Sequence, residues 1–93
     1  MKLEINKIST YLLDKGIKPN LLGFTYLKDA IEFVYENSEY QHNVCKMLYP
    51  DIAKLEKTTA SKVERAIRHA LFNAKLNYSN SHFIALAVIE LKK

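Results

Sequence analysis

Two groups of side chains have the types and spacing to do chemistry. The larger lies within residues 46–75, where seven Lys/Arg stand against three Asp/Glu. That local balance of +4 equals the balance of the whole chain, while residues 1–45 hold five Lys/Arg against six Asp/Glu. Cationic side chains gathered on one part of a chain are the electrostatic footprint of phosphate contact, because each neutralised phosphate releases condensed counterions. The other reading of the same charge is an ordinary solvated helix face. The smaller group is His42 and Cys45, three residues apart, a spacing that can share one helix face and that a metal or nucleophilic site could use. It goes no further, since Cys45 is the single cysteine and His69 and His82 fall in segments with other expected roles. Cys45 is expected to be buried and structural, a small hydrophobe in behaviour. The sequence has no Gly-rich phosphate loop, metal-ligand cluster or nucleophile elbow. The expectation is a non-enzymatic protein with no catalytic residue, no cofactor and no bound metal.

The basic segment carries its own scaffold. At 100° per residue, Val63, Ala66, Ile67, Ala70, Leu71 and Ala74 fall in one arc, the pattern of a core-facing helical stripe, and Ser61, Arg65, Arg68 and His69 fall opposite. Thr59 suits an N-cap whose hydroxyl accepts from a free first-turn amide, and Ser61 with Glu64 offers an alternative capping box. The helix is predicted to begin near Ala60. Upstream, Pro50 fits a first helical position, where its missing N–H has no intrahelical partner, and starts a short helix through Asp51, Ile52, Ala53 and Lys54. Ala53 is small enough for the second helix to cross closely. Residues of about 49–75 therefore read as a helix-turn-helix.

The rest of the chain must cover that pair. With 93 residues, 48% of them hydrophobic and 26% charged, the length fits one domain over 1–93 with one modest core. A single cysteine rules out an intramolecular disulfide, the longest apolar run, Phe83–Ile89, is too short to span a bilayer, and MKLEINK is no signal peptide. A cytoplasmic protein with no membrane partner is expected. Leu3–Lys15 places Ile5, Ile8, Leu12 and Leu13 at helical spacing and ends at Gly16, a C′ residue with φ > 0, with Ile17 to close a Schellman contact. Ile17–Pro19 should be extended.

Leu22–Asn37 repeats the helical period through Leu27, Ala30, Ile31, Val34 and Tyr35, and its other face, Asp29, Glu32 and Glu36, is acidic. Tyr26, Tyr35 and Tyr40 read as core residues with hydroxyls at the surface rather than as a base-stacking platform. Ser38 or Glu39 to Leu48 is predicted as a third helix with Val44, Cys45 and Leu48 inward. Asn77–Asn80 is turn-like, and Asn80 or Ser81 should cap a last helix striped by Phe83, Ile84, Ala87, Val88 and Leu91. The fold class is all-α, a small bundle of about five to six helices containing the helix-turn-helix.

Three segments carry a resemblance. LYPDIAK, TTAS-x-VERAIRHA and, near the end, NS-x-FIA closely resemble the C-terminal DNA-binding domain of the stage-zero sporulation protein A family, response regulators that command spore formation in bacteria. Weaker similarity runs upstream through GFTYLKDAIEFVYEN. The resemblance implies a nucleoid-associated transcription regulator that inserts TTASKVERAIRHA into the major groove of double-stranded DNA, often as tandem copies. It implies that Glu64 and Arg65 read bases, Arg forking onto guanine and Glu accepting from cytosine. Lys62 stands where the family has Arg and lacks its planar fork. Ser61, Arg68 and His69 match residues that face DNA, mostly its backbone, and Lys57 and Thr59 join them as phosphate contacts. In the bland alternative Glu64 only caps and Arg65 pairs with an acid on a neighbouring helix.

The chain departs from the family in three places. A further helix and loop before the last helix collapse here to about KLNYSN, so the RNA polymerase contact associated with that region is not carried over. In the turn, Glu56-Lys57 replaces an apolar residue followed by Asn, and Lys is less willing to adopt αL. A shifted register, or a rotation that buries Leu55, is expected. Phe72 projects into the polar arc and should rest on the shortened connection, or else form a dimer contact. A homodimer or tandem copies would suit a small helical module, although no long heptad seam declares one. The chain is too short for a receiver domain, and Met1 with the shortened connection suggests a stand-alone protein rather than an excised domain. A rival expectation is a protein–protein adaptor or antagonist that binds a related regulator through Phe72 and the acidic helix, without productive DNA contact.

Overall fold

The computed structural model describes residues 5–93, with side chains from Lys7 onward. Leu3, the expected start of the first helix, and the side chain of Ile5 lie outside the described residues. Six α-helices follow in order: α1 (Ile5–Asp14), α2 (Leu22–Glu36), α3 (Glu39–His42), α4 (Tyr49–Glu56), α5 (Ala60–Asn73) and α6 (Asn80–Leu91), with a π-helical turn, Val44–Leu48, running directly into α4. The described residues contain no strand. The all-α bundle with a helix-turn-helix is therefore the observed fold.

Helix α1 ends as its sequence predicts. Gly16 is left-handed at φ 87°, the Ile17 amide reaches back to the Leu12 carbonyl at 3.1 Å, and the Ile17 side chain is buried. Leu13, expected inward, is half exposed, while Ile8 and Leu12 are buried in the core and Tyr11 packs against it. Helix α2 is the central strut, packing most extensively on α5 and then on α6, through Leu27, Ala30, Ile31 and Val34, all buried. Gly23 sits where α2 approaches α5 most closely: a methyl group there would collide with the Ala66 carbonyl oxygen and the Ala70 Cβ. Tyr26 is buried, while Tyr35 and Tyr40 are partly buried against the core, Tyr40 donating its hydroxyl to Asp51 and so tying α3 to α4.

The expected third helix breaks. Asn43 leaves helical geometry at φ −137°, and the five residues after it form a wider π turn. The wider turn changes which residues face the core. Leu48 is buried, Val44 is half buried, and Cys45, expected inside, is exposed. His42 is exposed as well, and the break at Asn43 separates the two from a common helix face.

Candidate nucleic-acid interface

Thr59 enters α5 with extended backbone, φ −117° and ψ 155°, and its hydroxyl accepts from the Lys62 amide at 3.2 Å. This is the predicted N-cap, and the helix begins at Ala60. The turn before it depends on Lys57, which is left-handed at φ 57° and ψ 49°. The rotation expected to bury Leu55 does not occur: Leu55 stays 57% exposed. Left-handed geometry costs a non-glycine residue about 1–2 kcal/mol. Here the Lys57 and Thr58 amides both close onto the Ala53 carbonyl, the latter at 2.9 Å, satisfying the helix end that would otherwise be left open.

Helix α5 then presents two faces. Val63, Ile67, Ala70 and Leu71 are buried, whereas Ser61, Lys62, Arg65, Arg68 and His69 are exposed and Glu64 is half buried. Glu64 accepts from Arg68, Nε at 3.0 Å and Nη2 at 3.4 Å. Such an exposed pair contributes about 0–1 kcal/mol, so either partner can be drawn away by a better one. The polar face is a ridge between two grooves. One, of about 600 Å³, runs between Asn20–Gly23 and α5 and is bordered by Lys62, Arg65 and His69. The other, of about 330 Å³, is bordered by Cys45, Tyr49, Ser61, Glu64 and Arg68. Arg65 lines both. Of the predicted site residues, Ser61, Lys62, Glu64, Arg65, Arg68 and His69 thus share one helix face, and Lys57 and Thr59 stand exposed at its entry.

Residues 8–89 match the family described as Sporulation initiation factor Spo0A C terminal. The chain belongs to that family. The Spo0A C-terminal family is the DNA-binding domain of a sporulation regulator and not an enzyme family. Among the described residues of this Spo0A C-terminal member, no His/Cys/Asp/Glu group could hold a metal ion, and no helix is long and apolar enough to cross a membrane.

Supporting residues that the sequence did not disclose lie beneath the Spo0A C-terminal ridge. Asn80, the first residue of α6, donates its side-chain amide to the Tyr49 hydroxyl and to the Glu64 carbonyl, each at 3.1 Å. Its expected role as the cap of α6 belongs instead to Ser79, whose hydroxyl accepts from the His82 amide. Burial pushes the Tyr49 phenol up from its ordinary value, and the Asn80 hydrogen bond pulls the other way. Asp29, on the acidic face of α2, is half buried, with Oδ2 enclosed and without a partner among the described residues. Burial first, and then the Glu56 carboxyl at the end of α4, push its carboxyl up to about 8. Phe72 does not rest on the connection: it is 79% exposed beside a groove formed with Lys75, Leu76 and Asn77. Only Gly23 left a sequence signal, a glycine inside a helical pattern, which marks a close approach.

Proposed function

We propose that residues 1–93 act as a single, non-enzymatic domain that binds double-stranded DNA with sequence preference and regulates transcription in the bacterial cytoplasm. In this reading α5 enters the major groove. Arg65 forks onto guanine, Glu64 leaves Arg68 to accept from cytosine, and Lys62 adds a single-point contact to a base edge. Lys57, Thr59, Ser61, Arg68 and His69 hold phosphates, which fix register and carry no sequence information directly. The observation that carries the reading is the position of Arg65 on the crest of the α5 ridge, lining the grooves on both sides. A duplex backbone on each side of a docked helix would meet those flanks.

The test is fluorescence anisotropy with a duplex selected from a randomised pool and a scrambled counterpart, at two salt concentrations. Tight binding that prefers the selected duplex is expected, and Arg65→Ala should cost about 1–3 kcal/mol on that duplex alone. Arg68→Ala should weaken both duplexes alike. Equal, weak binding that disappears at higher salt would leave only a basic surface. The adaptor reading rests on the 79% exposure of Phe72. It would be favoured by association with a related regulator that is lost on Phe72→Ala and insensitive to Arg65→Ala.

A further inference from the structure

We infer that Asn80 is a positioning residue for base reading: its side-chain amide sets the placement of α5 through the Glu64 carbonyl. The inference rests on the DNA-binding reading above and goes beyond the residues assigned to it. A primary amide has two hydrogens, and Asn80 Nδ2 lies 3.1 Å from each of two acceptors, the Tyr49 hydroxyl at the first residue of α4 and the Glu64 carbonyl in the second turn of α5. One side chain at the start of α6 therefore spans both helices of the helix-turn-helix. Ser79 supplies the N-cap of α6, which leaves Asn80 free for this link. The start of α6 is held in turn from α3, where Gln41 Nε2 donates to the Ser81 carbonyl at 3.2 Å.

The carbonyl that Asn80 grips belongs to Glu64, the residue beside Arg65. A carbonyl oxygen has two lone pairs, so Glu64 can keep its helical hydrogen bond and accept a second donor. Tyr49 is buried at 5% exposure, so one end of the link is anchored in the core. Base edges are read within a few tenths of an ångström, whereas phosphate attraction tolerates displacement. Loss of the link should therefore remove preference and spare general affinity.

The experiment compares wild type, Asn80→Ala, Asn80→Ser and Tyr49→Phe on a selected duplex and its scrambled counterpart, with thermal melting of each protein. Serine stays polar but is too short to reach both acceptors, and it carries the measurement should the alanine variant not fold. The selected-to-scrambled affinity ratio should fall about tenfold in the Asn80 variants, while affinity for the scrambled duplex and its salt dependence hold. Tyr49→Phe removes the anchor but keeps the Glu64 link, and the ratio should fall by less than in the Asn80 variants. In the wild type, the hydrogen exchange of α5 amides around Arg68 should be slower than in the Asn80 variants. An unchanged ratio in the Asn80 variants, or a parallel loss on both duplexes, would overturn the inference with the DNA reading intact. A wild-type protein with no preference between duplexes would overturn both.

Discussion

Helix α5 is entered through Lys57 and left through Lys75, and both lysines are left-handed, with φ of 57° and 60°. Both turns close with an amide reaching back five residues, Thr58 to Ala53 at 2.9 Å and Leu76 to Leu71 at 3.0 Å. The side chains that follow differ. After Lys57 come Thr58, half exposed, and Thr59, whose hydroxyl caps α5. After Lys75 comes Leu76, packed against the core. The same backbone device thus serves a polar entry that sets where the ridge begins and an apolar exit that closes the core. Lysine tolerates αL at both places because the hydrogen bonds it completes offset the strain. Changes at the entry should therefore move duplex binding, and changes at the exit should move stability alone.

The largest expected effect lies at the exit. Leu76→Ala should cost about 2 kcal/mol in denaturant unfolding, at the low end for core leucines because the site is only partly buried. Duplex affinity of the folded fraction should stay at the wild-type value, and a matched loss of preference would erase the distinction between the two ends.

Next is the acid pair beneath the entry. Asp29 holds its proton up to about pH 8 in the fold, against 3.8 as its ordinary value. The folded state therefore binds more protons than the unfolded state between those values, and stability falls as pH rises through that window. Asp29→Asn cannot ionise and can donate to Glu56, so it should gain about 1–2 kcal/mol over wild type near pH 8, after discounting for solvent screening. The gain should close towards pH 4, and melting curves across that range would show it. A gain that is flat with pH would mean that Asp29 does not hold its proton in the fold.

Smaller again, Thr59→Ala should cost about 1 kcal/mol of stability through loss of the cap. It should also lower duplex affinity, since the entry of α5 loosens. The smallest pair tests the comparison most directly. Lys57→Gly and Lys75→Gly should each gain about 0.5 kcal/mol in melting experiments, relief of αL strain outweighing the entropy of glycine. Only Lys57→Gly should weaken binding to every duplex and reduce the salt slope by about one.

Where hydrophobic period and cap chemistry agreed, the sequence was legible. Val63, Ile67, Ala70 and Leu71 recur at helical spacing, Thr59 caps, and each lies where the pattern puts it. The same holds for Ile8, Leu12, Gly16 and Ile17 at the end of α1. What escaped was decided by contacts between segments distant in the chain. Asn80 reaches residues 16 and 31 positions away, and no local pattern encodes such a link. Asp29 reads from its own helix only as part of an acidic face, but α4 brings Glu56 against it. Phe72 and Leu55 are exposed, and the turns beside them close through backbone hydrogen bonds. The family match over residues 8–89 bears on the fold and on DNA binding as a class.

The π turn at Val44–Leu48 has a bearing on how this chain could change length. It runs without interruption into α4, so the number of residues it holds sets the rotational phase of Tyr49, Ile52 and Ala53, which α4 buries. Deleting one residue there would turn α4 by about 100° about its axis, carrying the buried trio out of the core and the Tyr49 hydroxyl away from Asn80. Loops elsewhere absorb insertions and deletions; this segment, irregular as it looks, behaves as a gear tooth.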